Sequence, residues 1–355
     1  MAMRKRKYFT QALSEWMKGG GPESDIVISS RIRLARNLKD LPFPTLATNV
    51  HAQEVLDRVK TVLKSDTLRA AGNFDMLLLD GIDELDKKVL VEKHLISPAL
   101  VSEAKKGAVI LSENESISIM VNEEDHLRIQ VLRPGFQLKE AWEQADKIDD
   151  IFESQLDYAF DEQRGYLTSC PTNVGTGMRA SVMMHLPALV MTQQINRILA
   201  AISKVGLVVR GLYGEGSEAT GNLFQVSNQI TLGQSEEDII ENLHNVASQI
   251  VSQERAAREK LLAESRVRIL DRVSRSYGIL TNAAVIDSKE AAQRLSDVRL
   301  GVDLGLIKST GPQALNELLV MTQPGYLQLY AGGLLTPDER DVRRAELIRS
   351  RLAQA

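Results

Sequence analysis

Residues 169 to 183 read S-C-P-T-N-V-G-T-G-M-R-A-S-V-M, and Cys170, the only cysteine of the chain, stands at the head of the stretch. Gly175 and Gly177 allow the backbone conformations closed to other residues. From Arg179 and Ser181 onward, Val182, Leu186, Leu189, Val190, Ile195, Ile198 and Leu199 recur at helical spacing, which predicts a glycine-containing loop running into a long apolar helix. Such a loop offers free N–H groups and a positive dipole end to an anion, and the same field lowers a thiol pKa. The other reading is a buried free cysteine ahead of an ordinary helix. The surroundings of the stretch decide between them.

The 355 residues, 43% hydrophobic and 25% charged, can bury a substantial core and have room for two domains. A single cysteine excludes an internal disulfide framework, and no apolar run approaches the ~18 residues that a bilayer span needs. The first residues, M-A-M-R-K-R-K-Y, are basic but lack the apolar stretch of a signal peptide, so the expected compartment is the cytoplasm, with no membrane attachment. A net charge of −4 argues against a nucleic-acid module that works by bulk charge.

Upstream of the cysteine, residues 1 to 24 hold one short amphipathic segment around Phe9, Leu13 and Trp16, then G-G-G-P, too little for a domain. Asp25 to Ser29 reads as a strand leading into S-S-R-I-R-L-A-R. If it continues, Arg31 and Arg33 lie on one face; solvated arginines on an edge are the plainer alternative. Residues 50 to 63 suit a helix, while 74 to 79 suit either strand or helix. His94 sits among apolar residues, as core histidines do. Three runs at 107–112, 116–122 and 127–133 read as an antiparallel meander, with the carboxylate-rich N-E-E-D-H between the last two. Residues 138 to 160 form a strongly amphipathic helical pattern.

Downstream, 207–211 and 223–230 read as strands flanking L-Y-G-E-G-S-E-A-T-G, and 236 to about 264 as a long helix. Beyond residue 257 strands disappear, leaving helical patterns at 266–277, 288–300, 311–321 and 336–353. Thr336, Pro337 and Glu339 give the last of them an N-cap, a first-turn proline and a capping-box partner. The fold class is α+β: an N-terminal segment (1–24), a mixed domain (25–256) and an all-α C-terminal domain (257–355).

Arg31, Arg33, Arg128, Arg179 and Arg210 all fall beside predicted loops, and Glu123, Glu124 and Glu215 stand near them. Several planar guanidinium groups converging on one anion suit a polyphosphate. Neither G-x-x-x-x-G-K-[ST] nor the H-R-D and D-F-G pair is present, so the two common phosphoryl-transfer scaffolds are excluded.

S-S-R-I-R (29–33), V-N-E-E-D-H-L-R (121–128), C-P-T-N-V-G-T (170–176) and R-G-x-x-G-E (210–215) resemble the phosphagen, or guanidino, kinases, which include creatine and arginine kinase. The resemblance spans most of residues 25 to 255. It implies a catalytic domain with an antiparallel sheet flanked by helices, ATP with Mg2+ held by arginines, and phosphoryl transfer to a guanidinium nitrogen. Position by position, it implies ATP contacts at Ser29, Ser30, Arg31, Ile32 and Arg33, at His94 and Arg128, at Arg179, Ala180, Ser181, Val182 and Met183, and at Arg210, Gly211, Leu212, Tyr213, Gly214 and Glu215. It also implies Glu124 as the base, Glu215 as the second carboxylate on the guanidinium, and Cys170 as a thiolate that positions it. A cysteine nucleophile paired with His94, His126 or His185 is the rival reading of the same residues.

Family members that act on small metabolites carry an N-terminal helical lid, whereas here residues 1 to 24 alone precede the first strand. The C-terminal helical domain instead resembles the bacterial branch of the family that phosphorylates arginine side chains in proteins. That resemblance implies protein substrates with exposed arginine, a zinc-binding activator protein, the heat-shock repressor and a Clp ATPase as partners, and a homodimer. Within the last helix, Arg340 and Arg344 lie four apart on one face, which is either an anion site or a solvated basic face balanced by Asp338, Glu339 and Glu346. R-D-x-x-R-A (Arg340, Asp341, Arg344, Ala345) resembles that branch's phosphoarginine pocket, which favours the anion site. A kinase for free arginine or another small guanidine, and a non-catalytic phosphoarginine-binding adaptor, are the competing functions.

Overall fold

Alternation with a period of two builds the centre of the molecule. The computed structural model describes residues 7–9, 11, 13–211 and 220–353. Its strands are β1 (Val27–Arg36), β2 (Phe74–Leu78), β3 (Ala108–Ser112), β4 (Ile117–Val121), β5 (Leu127–Pro134), β6 (Phe160–Asp161), β7 (Gly165–Tyr166), β8 (Met178–His185), β9 (Leu207–Gly211) and β10 (Leu223–Asn228). Eight of them form one sheet in the order β2-β3-β4-β5-β1-β8-β10-β9, every pairing antiparallel, and β6 and β7 make a separate small hairpin. The expected meander is β3, β4 and β5, and the ambiguous 74–79 run is the edge strand β2.

The helix expected to start at Arg179 is a strand. Met178, Ala180, Val182 and Met184 alternate with Arg179, Ser181 and Met183, so period two competes with the 3.6-residue pattern over these residues, and pairing with β1 and β10 settles it. Helical spacing is realised only further on. The helices are α1 (Asn49–Val62), α2 (Asp66–Ala71), α3 (Glu84–Glu92), α4 (Pro98–Ser102), α5 (Leu138–Glu153), α6 (Pro187–Met191), α7 (Ile195–Lys204), α8 (Glu236–Asn282), α9 (Ser288–Asp303), α10 (Pro312–Met321), α11 (Pro324–Ala331) and α12 (Pro337–Ala353). Pro187 opens α6 at its first position, where a missing N–H costs nothing. The capping box expected at α12 is present, with Thr336 N donating to Glu339 Oε2 at 2.8 Å. The run expected as one helix over 138–160 ends at Glu153.

One face of the sheet is the main core. Ile32, Leu34, Ile129, Val131, Ala180, Val182 and Met184 pack there against Val55 and Val59 of α1, Ala145 and Phe152 of α5, and Leu243 and Ile250 of α8. On the other face a second cluster joins Trp16 and Met17 to Leu132, Met183 and Leu223 of the sheet, Val89 of α3, and Met321, Tyr326, Leu327 and Leu347 of the C-terminal helices. The N-terminal segment is thus woven into the body, with Tyr8 and Met17 fully buried. Helix α8 runs straight past the boundary expected at 257 and breaks its geometry at Ser265 (φ −143°, ψ 29°). No helix among the described residues is long and apolar enough to cross a membrane.

Candidate active site

The sheet face opposite the main core carries the cations. Strand β1 continues to Arg36, so Arg31 and Arg33 share a face, as the spacing predicts. Register then places Ser181 beside Arg31 and Arg179 beside Arg33 on β8, and Arg128 beside Ala35 on β5. Antiparallel partners directly opposite project to the same side. Four guanidinium-bearing positions from three adjacent central strands therefore meet on one surface.

Their electrostatics are those of a site built for an anion. Burial, then the charges of Arg128 and Arg179, push Arg31 down to about 10. Burial and the charges of Arg31, Arg128 and Arg179 push Arg33 well down, against the pull of Glu123. Arg33 Nε is buried without a hydrogen-bond partner. Arg31 is steered by Gln225, whose Oε1 accepts from Nη2 at 2.7 Å, and by Ser181 Oγ at 3.4 Å. Arg128 donates to both oxygens of Glu123 at 2.5 and 2.6 Å. Burial alone would raise Glu123, but Arg128 and the Ser97 hydroxyl hold it below the ordinary range.

Two loops close the floor of this face. In the turn between β4 and β5, Asn122 takes φ 59° and its N–H reaches His126 O, so consecutive carboxylates point different ways. Glu123 turns in to Arg128, whereas Glu124 is exposed at the mouth. Burial of part of its carboxyl, then the charges of Asp125 and Glu123, raise Glu124 above the ordinary glutamate range. Asp125 Oδ1 accepts from Ser169 N at 2.7 Å and Asn37 Nδ2 at 2.6 Å, which ties the cysteine loop to the glutamate turn. Thr231 Oγ1 donates to Thr172 O and Val174 O, and Arg36 Nη1 donates to Thr176 O, which rivets the rest of that loop. A Cβ on Gly177 would lie 2.6 Å from Arg36 Nη1 and 2.7 Å from Ala35 O, so glycine is required there. The loop contains one short turn, Pro171–Asn173, rather than the start of a long helix, so the dipole field expected beside Cys170 is not built.

The result is a cleft of about 450 Å³ in which Arg33, Arg128 and Arg179 face Glu124, Asp125 and Cys170, with Thr172, Asn173 and Gln229 at its rim. Cys170 is partly exposed, and its sulfur contacts Thr172 Oγ1 at 3.0 Å. None of the three histidines offered as its partner pairs with it. Leu38 N donates to His126 Nδ1, and His126 Nε2 meets Pro42 O; burial pushes this imidazole down to about 4. His185 is buried at the other end of β8 against Ser296. His94 lies further along the arginine face, bordering a small gap with Arg31, Ser29, Ser181, Met183 and Gln225, and packs edge-on to Trp16 at 5.5 Å. Burial and Arg31 push it down to about 3, so its ring is neutral.

Strand alternation corrects the contiguous runs expected at the site. Ser30, Ile32, Ala180 and Val182 point away, fully buried or nearly so in the body of the protein, so the side chains of these runs on the arginine face are Ser29, Arg31, Arg33, Arg179, Ser181 and Met183. Position 210 is in β9 opposite Gln225, and Gly211 ends that strand. Leu212, Tyr213, Gly214 and Glu215 lie outside the described residues. Motif reading does not find Gln225, Gln130, Asn37 or Ser97. A signal for Gln225 exists, since it falls on the same face as Arg31 once β10 is paired with β8.

In the last helix the residues of the R-D-x-x-R-A segment differ in exposure. Arg344 is buried: its Nε donates to Thr322 O at 2.9 Å and its Nη1 to Ile286 O at 2.9 Å and Asp341 Oδ1 at 2.5 Å. Asp341 thus holds Arg344 through Oδ1. Ala345 is in the helical core, and Arg340 is partly exposed.

Comparison with known proteins covers almost the whole chain. The family described as ATP:guanido phosphotransferase, C-terminal catalytic domain, matches residues 54–257, and that described as Protein-arginine kinase McsB C-terminal domain matches residues 266–355. A protein-arginine kinase of Brevibacillus brevis is 65% identical over 350 residues, covering 99% of this chain and 98% of that one. The protein-arginine kinase of Bacillus subtilis is 59% identical over 347 residues, covering 98% and 95%. Among solved structures, a lombricine kinase matches with TM-score 0.59 at 24% identity over 67% of this chain and 68% of that one, which is a likeness of fold.

Proposed function

Because the chain belongs to the ATP:guanido phosphotransferase family, we propose that it transfers the γ-phosphoryl group of ATP to arginine side chains of proteins. The observation that carries this is the cleft in which Glu124 and Cys170 face Arg33, Arg128 and Arg179. The full-length likeness to protein-arginine kinases gives the acceptor class. An exposed Glu124 at the cleft mouth suits an arginine presented on a polypeptide.

The residues fit a polyphosphate on physical grounds. Mutual repulsion and an orphaned Arg33 Nε are relieved together when phosphate oxygens enter the cluster. Mg2+ bound to those phosphates would offset part of their charge. Arg31, Arg33, Arg128, Arg179 and Arg210 would hold the phosphoryl chain in line, with Glu123 fixing the fork of Arg128.

The acceptor guanidinium has a pKa above about 12, so no carboxylate removes its proton in the ground state. Transfer is coherent only if the N–P bond forms as the bond from phosphorus to the ADP oxygen breaks. The guanidinium proton passes to Glu124 in the same step, and ADP leaves with the electron pair. Glu124, raised above the ordinary glutamate range and exposed at the mouth, is placed to accept that proton, whereas Asp125 is tied up by Ser169 and Asn37. Glu215 and the Cys170 sulfur would flank the guanidinium and orient it, without a covalent enzyme intermediate.

The test is incubation with MgATP and an arginine-rich protein, read by mass spectrometry under non-acidic conditions that spare an N–P bond. Phosphate on arginine is expected. Phosphate only on serine, threonine or tyrosine, or only on free arginine, would overturn the assignment. The same reading extends to a cytoplasmic enzyme that marks proteins for Clp proteolysis, acts on the heat-shock repressor, answers to a zinc-binding activator and works as a homodimer. It further includes a phosphoarginine pocket about Arg340, Asp341, Arg344 and Ala345, supported by the match of residues 266–355 to the C-terminal domain family.

A further inference from the structure

The corner that follows α3 is gripped from three directions in three successive residues. Glu92, the last residue of α3, accepts Gly325 N at 2.6 Å and Tyr326 N at 2.8 Å, the first-turn amides of the C-terminal helix α11. Gln323, the residue in the N-cap position of α11, makes no side-chain cap of its own, so Glu92 caps that helix from another part of the chain. Lys93 is fully buried and donates to Tyr8 O, Gln11 O and Glu115 Oε1 at 2.7–3.0 Å. Its carbonyl accepts from Trp16 Nε1. His94 then takes φ 58°, and its carbonyl accepts from Gln130 Nε2 of β5 at 2.8 Å. Its ring borders the gap shared with Arg31, Ser181 and Gln225.

A left-handed histidine is held against its own preference, so its position depends on these neighbours. Two of the grips are internal to the body around the sheet. The third comes from the C-terminal helices. Val89 of α3 packs in one cluster with Tyr326 and Leu327 of α11 and with Met183 on the arginine face, so apolar contact backs the cap. Space is tight where they meet: a Cβ on Gly325 would lie 2.9 Å from both carboxylate oxygens of Glu92. Burial, opposed by the two amide donors and Lys88, pushes the Glu92 carboxyl up to about 7, which marks it as a group kept in place by its partners rather than by water.

We propose that Glu92 is a positioning residue for the nucleotide: by capping α11 it holds the Lys93–His94 corner, and so the His94 end of the arginine face, in the geometry that receives ATP. This rests on the reading that the arginine face takes the nucleotide. It gives the C-terminal helices a direct mechanical hold on nucleotide affinity, since any shift of α11 relative to α3 is passed to His94 through two peptide bonds.

The test is calorimetric titration of MgADP into the full chain, because it needs no acceptor. Glu92→Ala should weaken MgADP about tenfold, the size of one charge-assisted hydrogen-bond set lost. Gly325→Ala, altered on the other side of the contact, should weaken it by a similar factor. The double variant should be no weaker than Glu92→Ala alone, as coupled partners require. Glu92→Gln keeps an acceptor for one of the two amides and turns an NH2 toward the other, so its MgADP affinity should fall between the parent and Glu92→Ala. In turnover assays KM for ATP should rise in step while kcat and KM for the protein acceptor hold. Unchanged MgADP affinity in a folded Glu92→Ala chain, or additive effects in the double variant, would overturn the proposal. A parent chain that binds MgADP without phosphorylating arginine would sink only the reaction assigned above, and one that does not bind MgADP would sink both.

Discussion

Two groups of arginines stand in this protein, and they are used in opposite ways. On the sheet, Arg31, Arg33, Arg128 and Arg179 converge from neighbouring strands, and Glu123 ion-pairs with Arg128 among them. In the last helix Arg344 is buried more deeply still, and its fork is filled by two carbonyls and Asp341. The first group keeps electrostatic strain in the free protein, which on the proposed function an anion would release. The second converts its hydrogen bonds into fold stability. An arginine motif read along a chain tells which residues are near each other, not whether their donors are already taken.

The sharpest separation of chemistry from charge comes from Glu124→Gln. Turnover should fall by up to about 10⁴, the range of general-base contributions, while MgADP affinity stays at the parent value because the arginine face is intact. The acid limb of the pH–rate profile should lie above the ordinary glutamate range in the parent, since burial, Asp125 and Glu123 favour the protonated form. Loss of MgADP binding in this variant would mean that the turn and the face are one structural unit, and the contrast between base and clamp would collapse.

On the arginine face itself, Arg179→Lys should lower turnover about 10²- to 10³-fold although charge is kept, because an ammonium cannot reproduce a fork. Arg33→Met should also abolish most turnover, but thermal denaturation should show unchanged or higher stability, since a buried, repelled cation is removed. A fall in Tm of Arg33→Met would place this arginine with Arg344, among the structural ones.

Much of that face is legible in the amino-acid sequence. Arg31 and Arg33 two apart, the three-run meander and the N-E-E-D-H turn are short-range patterns, and short-range patterns survive into β1, β3, β4 and β5. The cysteine stretch misleads because Val182, Leu186 and Leu189 satisfy a helical period as well as β8 satisfies a period of two. Only pairing with β1 and β10 decides between them. A helical reading also hides the alternation that sends Ala180 and Val182 inward and puts Arg179, Ser181 and Met183 on the arginine face. Asp125 to Ser169 and Gln225 to Arg31 are contacts across 44 and 194 positions, and no local pattern carries them. The short α11 has no strong period of its own between Pro324 and Gly332, although its docking on Glu92 joins the two halves of the molecule.

In the helical group, Arg344→Ala should destabilise the chain by about 2 to 4 kcal/mol, because two buried carbonyls and a carboxylate lose their donor at once. Nucleotide-dependent steps measured on the folded fraction should be unchanged. Chemical denaturation with a matched measurement of kcat separates the two effects. A variant of full stability and poor turnover would show that Arg344 serves a ligand after all.

Arg340 is the finest test of the distinction, because it belongs to the same motif without sharing the fate of Arg344. It is partly exposed and makes no ion pair among the described residues, so nothing in the fold depends on its fork. Arg340→Ala should leave stability within about 0.5 kcal/mol of the parent, as surface substitutions do. If the R-D-x-x-R-A segment reads phosphoarginine, Arg340 is the member with donors to spare, and calorimetry with free phosphoarginine should show weaker binding in Arg340→Ala. Arg344 would then shape the site by holding Asp341 and the Ile286 backbone, so Arg344→Lys should lower affinity only as far as it lowers stability. Equal phosphoarginine affinity in the parent and Arg340→Ala would leave the whole motif as a clamp between α12 and its neighbours, and the molecule with one working group of arginines instead of two.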